Sequence, residues 1–143
     1  MKKKVLIVSA SYYKNITKSL IDDSVKLLKK NRILYKNIDV PGIFEIPVTI
    51  SKNINKYNGF IALGCVIKGE TPHFDYISKS TFDALMTLSI NSKKPIGNGI
   101  ITALNMGQAL KRSGIKTSVL KKNIKKGKGV ESTKAIISIL TQK

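Results

Sequence analysis

Residues 64–76 read GCVIKGETPHFDY and place a polar, glycine-containing turn between two apolar segments of different periodicity. The preceding residues 60–66 form a continuous apolar run of strand length. Thr71 is a suitable N-cap and Pro72 a suitable first helical residue, because proline has no N–H that needs a partner there. This stretch predicts a strand, a tight turn and a helix, since apolar residues then recur at roughly helical spacing, at Phe74, Ile77, Phe82, Leu85, Met86 and Leu88.

The same turn has the properties of an anion site. The backbone N–H groups of residues 69–73 lie where a helix begins, and the positive end of the helix dipole favours a phosphate there. His73 is the only histidine of the chain. Imidazole exchanges protons near neutral pH, so His73 is the first candidate for acid–base chemistry beside a bound anion.

The alternation of strand and helix continues along the whole chain. Apolar runs at 5–8, 33–40, 60–66 and 95–102 predict four strands, and helical patterns follow at 16–31, 44–54, 72–90, 106–110 and 130–140. With right-handed crossovers, this order gives one α/β domain over residues 1–143, a three-layer α/β/α flavodoxin-like fold with a four-stranded parallel sheet. Ligands of such sheets bind beyond the carboxyl ends of the strands. Three polar segments follow strands there: Tyr12, residues 41–45 and residues 65–73.

Length and cysteine content indicate a cytoplasmic protein. A chain of 143 residues is large enough to bury its own core, and its single cysteine cannot form an internal disulfide. No segment approaches the roughly 18 apolar residues of a membrane span. The basic and apolar start at residues 2–8 turns polar at Ser9, which is too early for a secretory signal. We therefore expect no membrane association.

The net charge of +18 raises the alternative of a lysine-rich module that binds polyanions without catalysis. Of the 26 basic residues only Arg32 and Arg112 are arginine, the residue on which base-edge and phosphate recognition depends most. The abundance of lysine, isoleucine and asparagine is also typical of an AT-rich coding sequence. The lysines of residues 121–128 then form a solvated loop, and nucleic acid is not an expected partner.

The chain lacks the residues that several other kinds of site require. No G-x-G-x-x-G follows the first strand and no Walker P-loop occurs, which excludes the common dinucleotide and nucleotide sites. One histidine and one cysteine do not make a zinc site within one subunit, so we expect no metal. A nucleophilic pair of Cys65 and His73 stays open, because both residues follow the third strand. A buried, inert thiol is the competing interpretation of Cys65.

Three ordered motifs carry a family resemblance. They are PGIFEIP at 41–47, GCVIKGETPHFDY at 64–76, and PIGNGIIT at 95–102 with QAL at 108–110. In this order they resemble lumazine synthase over nearly the whole chain. The resemblance implies condensation of 5-amino-6-(ribitylamino)uracil with 3,4-dihydroxy-2-butanone 4-phosphate to give 6,7-dimethyl-8-ribityllumazine, phosphate and water, the penultimate step of riboflavin biosynthesis. It implies no cofactor.

The resemblance also assigns roles to individual positions. His73 matches the general acid/base, and Tyr12 matches the aromatic residue that stacks on the pyrimidine. The ribityl pocket and the backbone groups that hold the pyrimidine correspond to Ile43, Phe44, Glu45, Cys65, Val66 and Ile67. The phosphate group corresponds to the backbone amides of Glu70 and Thr71, the side chain of Arg112 and the pocket lysine Lys128.

Family members work as homo-oligomers, and the resemblance implies a pentamer whose pockets lie between adjacent subunits. Asn98 and Arg112 would then come from the neighbour, and riboflavin synthase is an implied partner. The chain departs from the family pattern at Asn98, where many members carry an aromatic that covers the substrate. It also departs in a longer stretch between Arg112 and Lys128. Because of that stretch and the short segment before the first strand, we expect isolated pentamers and no icosahedral shell.

Overall fold

The computed structural model describes residues 2–115 and 127–142. Within these ranges four strands form one parallel sheet: β1 (Lys4–Ala10), β2 (Leu34–Val40), β3 (Gly59–Ile67) and β4 (Ile96–Ala103). Their spatial order is β2-β1-β3-β4, so β1 and β3 occupy the centre. The four predicted strands and their parallel arrangement are confirmed.

In the part of the chain that the structure describes, five helices surround the sheet: α1 (Lys14–Lys30), α2 (Ile46–Lys52), α3 (His73–Ser92), α4 (Met106–Ser113) and α5 (Lys128–Leu140). The short helix predicted at 44–54 consists of a 3₁₀ turn (Ile43–Glu45) followed by α2. Pro47 falls in the first turn of α2, where its missing N–H breaks no hydrogen bond. No helix among residues 2–115 and 127–142 is long and apolar enough to cross a membrane.

The start of α3 corrects the sequence-based expectation by one residue. Pro72 is the N-cap and His73 is the first helical residue, so Thr71 lies outside the helix. The carbonyl of Pro72 accepts hydrogen bonds from the amides of Asp75 (3.0 Å) and Tyr76 (3.2 Å), and this makes it the first acceptor of the helix. The hydroxyl of Thr71 accepts only a long contact of 3.4 Å from the His73 amide.

Two apolar cores lie on opposite faces of the sheet. Alternate residues of β1 point to opposite faces, so Val5 and Ile7 join the core beneath α1, α4 and α5, whereas Leu6 and Val8 join the core beneath α2 and α3. This is the predicted three-layer α/β/α architecture. The lysines at 121, 122, 125 and 126, predicted to form a solvated loop, lie outside the described residues.

Candidate functional site

A cavity of about 330 Å³ opens at the carboxyl ends of β1, β2 and β3. The loop after β1, the 3₁₀ turn after β2, the end of β3 and the first turn of α3 all contribute to it. It is lined by Ala10, Tyr12, Tyr13, Gly42, Ile43, Cys65, Val66, Ile67, His73 and Ile77. The three segments that sequence reasoning placed together therefore meet around one concave site of the size that small ligands occupy.

The end of β3 offers unpaired backbone to this cavity. The register between β1 and β3 ends at the pair Ser9 and Leu63, whereas the register between β3 and β4 continues to Ile67 and Ala103. β1 turns away, and the amide of Ser11 bonds to the carbonyl of Val40 at 3.2 Å. The backbone of residues 65–67 is consequently paired on its β4 side only, and its other side can hydrogen bond to a planar ligand.

Gly64 lets two neighbouring elements approach the end of β3. A Cβ at this position would lie 3.0 Å from Cγ2 of Ile43 and 3.1 Å from Cβ of Ala10, closer than side chains normally pack. The 3₁₀ turn therefore packs directly on the strand and buries Ile43 at the base of the cavity. Phe44, the next residue, is exposed and lines a second cavity of about 300 Å³ together with His73, Tyr76, Ile77 and Ser80. Since His73 borders both cavities, a ligand spanning them would contact its ring.

Glu45 has a structural contact within the same turn. Its Oε1 accepts a hydrogen bond of 2.9 Å from the amide of Gly42. A carboxylate has further lone pairs, so Glu45 can hold the turn and accept hydrogen bonds from ligand hydroxyls. The residue is half-buried.

The turn before α3 leaves its backbone open to solvent. Residues 68–73 are exposed, and a Cβ placed on Gly69 would meet no atom within 4 Å. An anion can therefore approach this backbone closely, at the amino end of a helix of 20 residues. His73 stands at the same helix end, beside Glu70 and Thr71.

Cys65 does not have the character of a nucleophile. Its side chain is buried, and burial raises the pKa of the thiol from 9.0 to about 11. The reactive form of cysteine is the thiolate, which is scarce at neutral pH when the pKa is this high. The structure thus favours the inert-thiol interpretation over the Cys65–His73 pair.

Tyr13 is a site residue that sequence reasoning missed. It is the N-cap of α1 and lies on the cavity wall next to Tyr12. The two rings meet edge to face, with centroids 4.9 Å apart and an angle of 79° between their planes. Burial, together with the nearby Cys65 and Tyr12, raises the pKa of the Tyr13 phenol. The signal was present in the sequence, as two consecutive tyrosines directly after β1.

Glu45, Glu70 and Thr71 are absent from the lining of both cavities, and three further predicted site residues lie elsewhere on the subunit. Asn98 is exposed on the edge strand β4, where it pairs with Ala62. Arg112 lies in the last turn of α4, and Lys128 begins α5 with its Nζ 3.3 Å from Oε1 of Glu131. None of the three lines the His73 cavities within one subunit.

The described parts of the chain contain no group of three or more His, Cys, Asp and Glu side chains that could hold a metal ion. A larger cleft of about 540 Å³ lies between α1 and α4 and includes Lys18, Asp22 and Gly114 in its lining. This cleft contains none of the predicted site residues. The smaller cavity beside His73 is therefore the candidate site, because it contains the residues that the sequence predicts.

The fold and site together define a flavodoxin-like α/β/α protein with a cavity beyond the carboxyl ends of the parallel strands, where ligands of such sheets bind. A family model described as 6,7-dimethyl-8-ribityllumazine synthase matches residues 2–143. The chain belongs to this family, whose members are transferases of riboflavin biosynthesis.

Named relatives agree with that assignment. The 6,7-dimethyl-8-ribityllumazine synthase of Bartonella tribocorum is 43% identical over 118 residues, which cover 79% of this chain and 78% of the relative. The enzyme of the same name from Buchnera aphidicola subsp. Baizongia pistaciae is 41% identical over 121 residues, covering 80% and 76%. That of Renibacterium salmoninarum is 33% identical over 134 residues, covering 93% and 84%.

Proposed function

We propose that this protein condenses 5-amino-6-(ribitylamino)uracil with 3,4-dihydroxy-2-butanone 4-phosphate, releasing 6,7-dimethyl-8-ribityllumazine, phosphate and water. The observation that carries the proposal is the single cavity that joins Tyr12, Ile43, residues 65–67 and His73. In this cavity an aromatic ring, an open strand edge and a histidine surround a space suited to a planar heterocycle.

The pyrimidine substrate fits the β1 and β3 side of the cavity. Its ring stacks on Tyr12, and its polar edge bonds to the open backbone of Cys65, Val66 and Ile67. The ribityl chain extends over Ile43 and Phe44, and its hydroxyls donate to Glu45. A carboxylate suits this role, because hydrogen bonds to an ionised acceptor are stronger than those to a neutral one.

The phosphate of the second substrate fits the amino end of α3. The exposed amides of Glu70 and Thr71 lie directly before the amino end of α3, whose dipole favours an anion there. Arg112 adds a two-pronged contact and Lys128 a further charge. Both side chains would arrive from a neighbouring subunit, since neither lines the His73 cavity of its own chain.

The reaction then needs positioning and proton transfer. The amine of the pyrimidine attacks the ketone carbon and water leaves, giving an imine. Elimination of phosphate follows, and attack of the second nitrogen with loss of another water closes the ring. His73 lies beside the reacting carbons and the phosphate, where it can move protons between nitrogen, carbon and the leaving group. A single group of this kind typically contributes about 10²–10⁴ in rate.

We further propose that the working form is a homopentamer in the cytoplasm, with active sites between adjacent subunits and riboflavin synthase as a partner. Large apolar side chains are exposed on the α2 and α3 layer, including Val48, Tyr76, Met86 and Ile90. A second set, Leu104 and Met106, follows the edge strand β4. Two different apolar surfaces on one chain suit a head-to-tail contact that closes into a ring.

The decisive experiment incubates the purified protein with both substrates and records lumazine fluorescence. Turnover above the spontaneous condensation is the expected result. Turnover no faster than the spontaneous reaction, combined with salt-sensitive binding to nucleic acid, would instead support the lysine-rich polyanion-binding module.

A further inference from the structure

Neighbouring side chains restrict the ring of Tyr12 little. The residue precedes α1, and its side chain is 76% exposed at the mouth of the cavity. Its ring contact is the edge-to-face pair with Tyr13, at 4.9 Å between centroids. An exposed aromatic ring that samples several rotamers must be ordered when a ligand stacks on it, and this ordering reduces affinity.

Tyr13, in contrast, is held by the protein. It is partly buried against the core that contains Ile16, Cys65 and Ala109. Its backbone is fixed as well, because its carbonyl accepts a 3.0 Å hydrogen bond from the amide of Thr17 in the first turn of α1. The Tyr13 ring is therefore a fixed surface against which the Tyr12 ring can settle.

Asn98 increases the importance of this pair. Its Oδ1 accepts a 3.1 Å hydrogen bond from the amide of Ile100, two residues along β4. An amide side chain at this position offers a substrate no aromatic face, whichever subunit contributes it. Aromatic contact with the pyrimidine then depends on the β1–α1 loop, where Tyr12 and Tyr13 lie.

We propose that Tyr13 is a positioning residue for the pyrimidine substrate, which holds the Tyr12 ring in the orientation that stacks on the heterocycle. This inference rests on the proposed function. Edge-to-face aromatic pairs contribute beyond simple burial, by an amount that corresponds to roughly three- to tenfold in an equilibrium constant. The proposal assigns that factor to pyrimidine affinity and leaves the butanone phosphate unaffected.

The test is a double-mutant cycle on the dissociation constant of 5-amino-6-(ribitylamino)uracil, measured by calorimetry. Tyr13→Leu and Tyr13→Met keep an apolar side chain against the core but remove the aromatic edge, whereas Tyr13→Phe retains it. We expect Leu and Met to weaken binding roughly three- to tenfold and Phe to bind like the wild type. In a Tyr12→Ala background, Tyr13→Leu should have no further effect, because the residue acts through Tyr12.

Tyr35 provides a matched control, since it packs on the same core from β2 and lies outside the cavity lining. Tyr35→Leu should leave pyrimidine affinity unchanged. Wild-type affinity in both Tyr13→Leu and Tyr13→Met would overturn the inference, as would an undiminished loss in the Tyr12→Ala background. If the wild type shows no turnover, the proposed function itself fails. Normal turnover with unaffected Tyr13 variants rejects only the role of Tyr13.

Discussion

The amide of Gly42 lies 2.9 Å from Oε1 of Glu45, so the carboxylate that we propose binds substrate hydroxyls also holds the turn that carries it. Ile43 and Phe44 lie between these two residues, one at the base of the main cavity and the other in the second cavity. The position of the proposed ribityl pocket should therefore depend on one hydrogen bond of Glu45, and its affinity for hydroxyls on the remaining lone pairs of the carboxylate.

Glu45→Gln should separate these two roles. The amide oxygen of glutamine can still accept from Gly42, so we expect the free energy of unfolding to change by no more than about 0.5 kcal/mol. Loss of the charge weakens hydrogen bonds to the ribityl chain, and KM for the pyrimidine should rise about fivefold. Glu45→Ala removes both functions and should also cost about 1 kcal/mol of stability, measured by urea unfolding. A pyrimidine KM unchanged in both variants would place the ribityl chain elsewhere.

His73→Ala should slow turnover and leave the fold intact. The side chain is exposed, so its removal should shift the urea midpoint little. We expect kcat to fall on the order of 10- to 1,000-fold, since one proton-transfer group is lost while spontaneous condensation continues. Thr87→Ala, at an exposed position on the same helix, is the control and should keep wild-type kcat. A folded His73→Ala protein with wild-type kcat would remove His73 from the mechanism.

Cys65→Ala should retain most activity, because the proposed contact of Cys65 is through its backbone. Its thiol also predicts a pH dependence of stability. The folded protein holds the thiol proton up to a pKa of about 11, whereas the unfolded chain releases it near 9.0. The stabilisation from the buried thiol is thus complete below pH 9 and is lost as the pH rises toward 11.

The difference in unfolding free energy between wild type and Cys65→Ala should accordingly decrease over that range of pH. Urea titrations at a series of pH values measure it. A constant difference across the range would show that the thiol is not protected from ionisation. Complete inactivation of a folded Cys65→Ala protein would revive the thiol nucleophile.

Much of the fold can be predicted from local sequence patterns. The apolar runs predict all four strands, because strands buried on both faces of a parallel sheet contain few polar residues. Local patterns predict the ends of helices and strands less accurately. The choice between Thr71 and Pro72 as N-cap depends on which carbonyl first accepts a helical hydrogen bond, and the sequence does not determine this. The 3₁₀ turn at Ile43–Glu45 likewise depends on tertiary packing against Gly64.

The site is predictable where it follows strand ends and unpredictable where it depends on packing. Parallel strands bring Tyr12, Ile43 and Cys65 to one edge, and this follows from topology. The contribution of Tyr13 depends on how one ring packs against the next, which spacing does not reveal. Asn98, Arg112 and Lys128 line neither cavity of their own subunit, and local patterns in the sequence do not reveal where in an assembly a side chain would act.

Arg112→Lys should weaken the butanone phosphate far more than the pyrimidine. Lysine keeps the positive charge but cannot form the two-pronged contact of a guanidinium with phosphate. We expect KM for the butanone phosphate to rise about tenfold, the factor that corresponds to one charged hydrogen bond, with little change for the pyrimidine. Steady-state kinetics with each substrate varied in turn measures both values. Equal effects on the two substrates would indicate a general structural defect.

The protein should assemble into isolated pentamers and not into icosahedral shells. Residues 121–128 contain five lysines and the chain carries a net charge of +18, so we expect pentamers to repel one another unless the charge is screened. A closed ring requires only its side-to-side contact. Sedimentation at physiological salt should give a mass near five times the chain mass of 15.8 kDa. A particle of megadalton mass would show that these charges do not prevent shell formation.

Assembly and activity should also fail together when the ring contact is broken. Met86 is exposed on α3 in the apolar layer proposed to meet a neighbour, and Met86→Glu places a charge there that loses solvation on contact. We expect smaller species by sedimentation and a parallel loss of turnover, because Arg112 then no longer reaches a partner's cavity. Ser138→Glu, exposed on α5 in the opposite layer, should remain pentameric and active. Full activity in a monomeric Met86→Glu protein would show that one subunit contains the whole site.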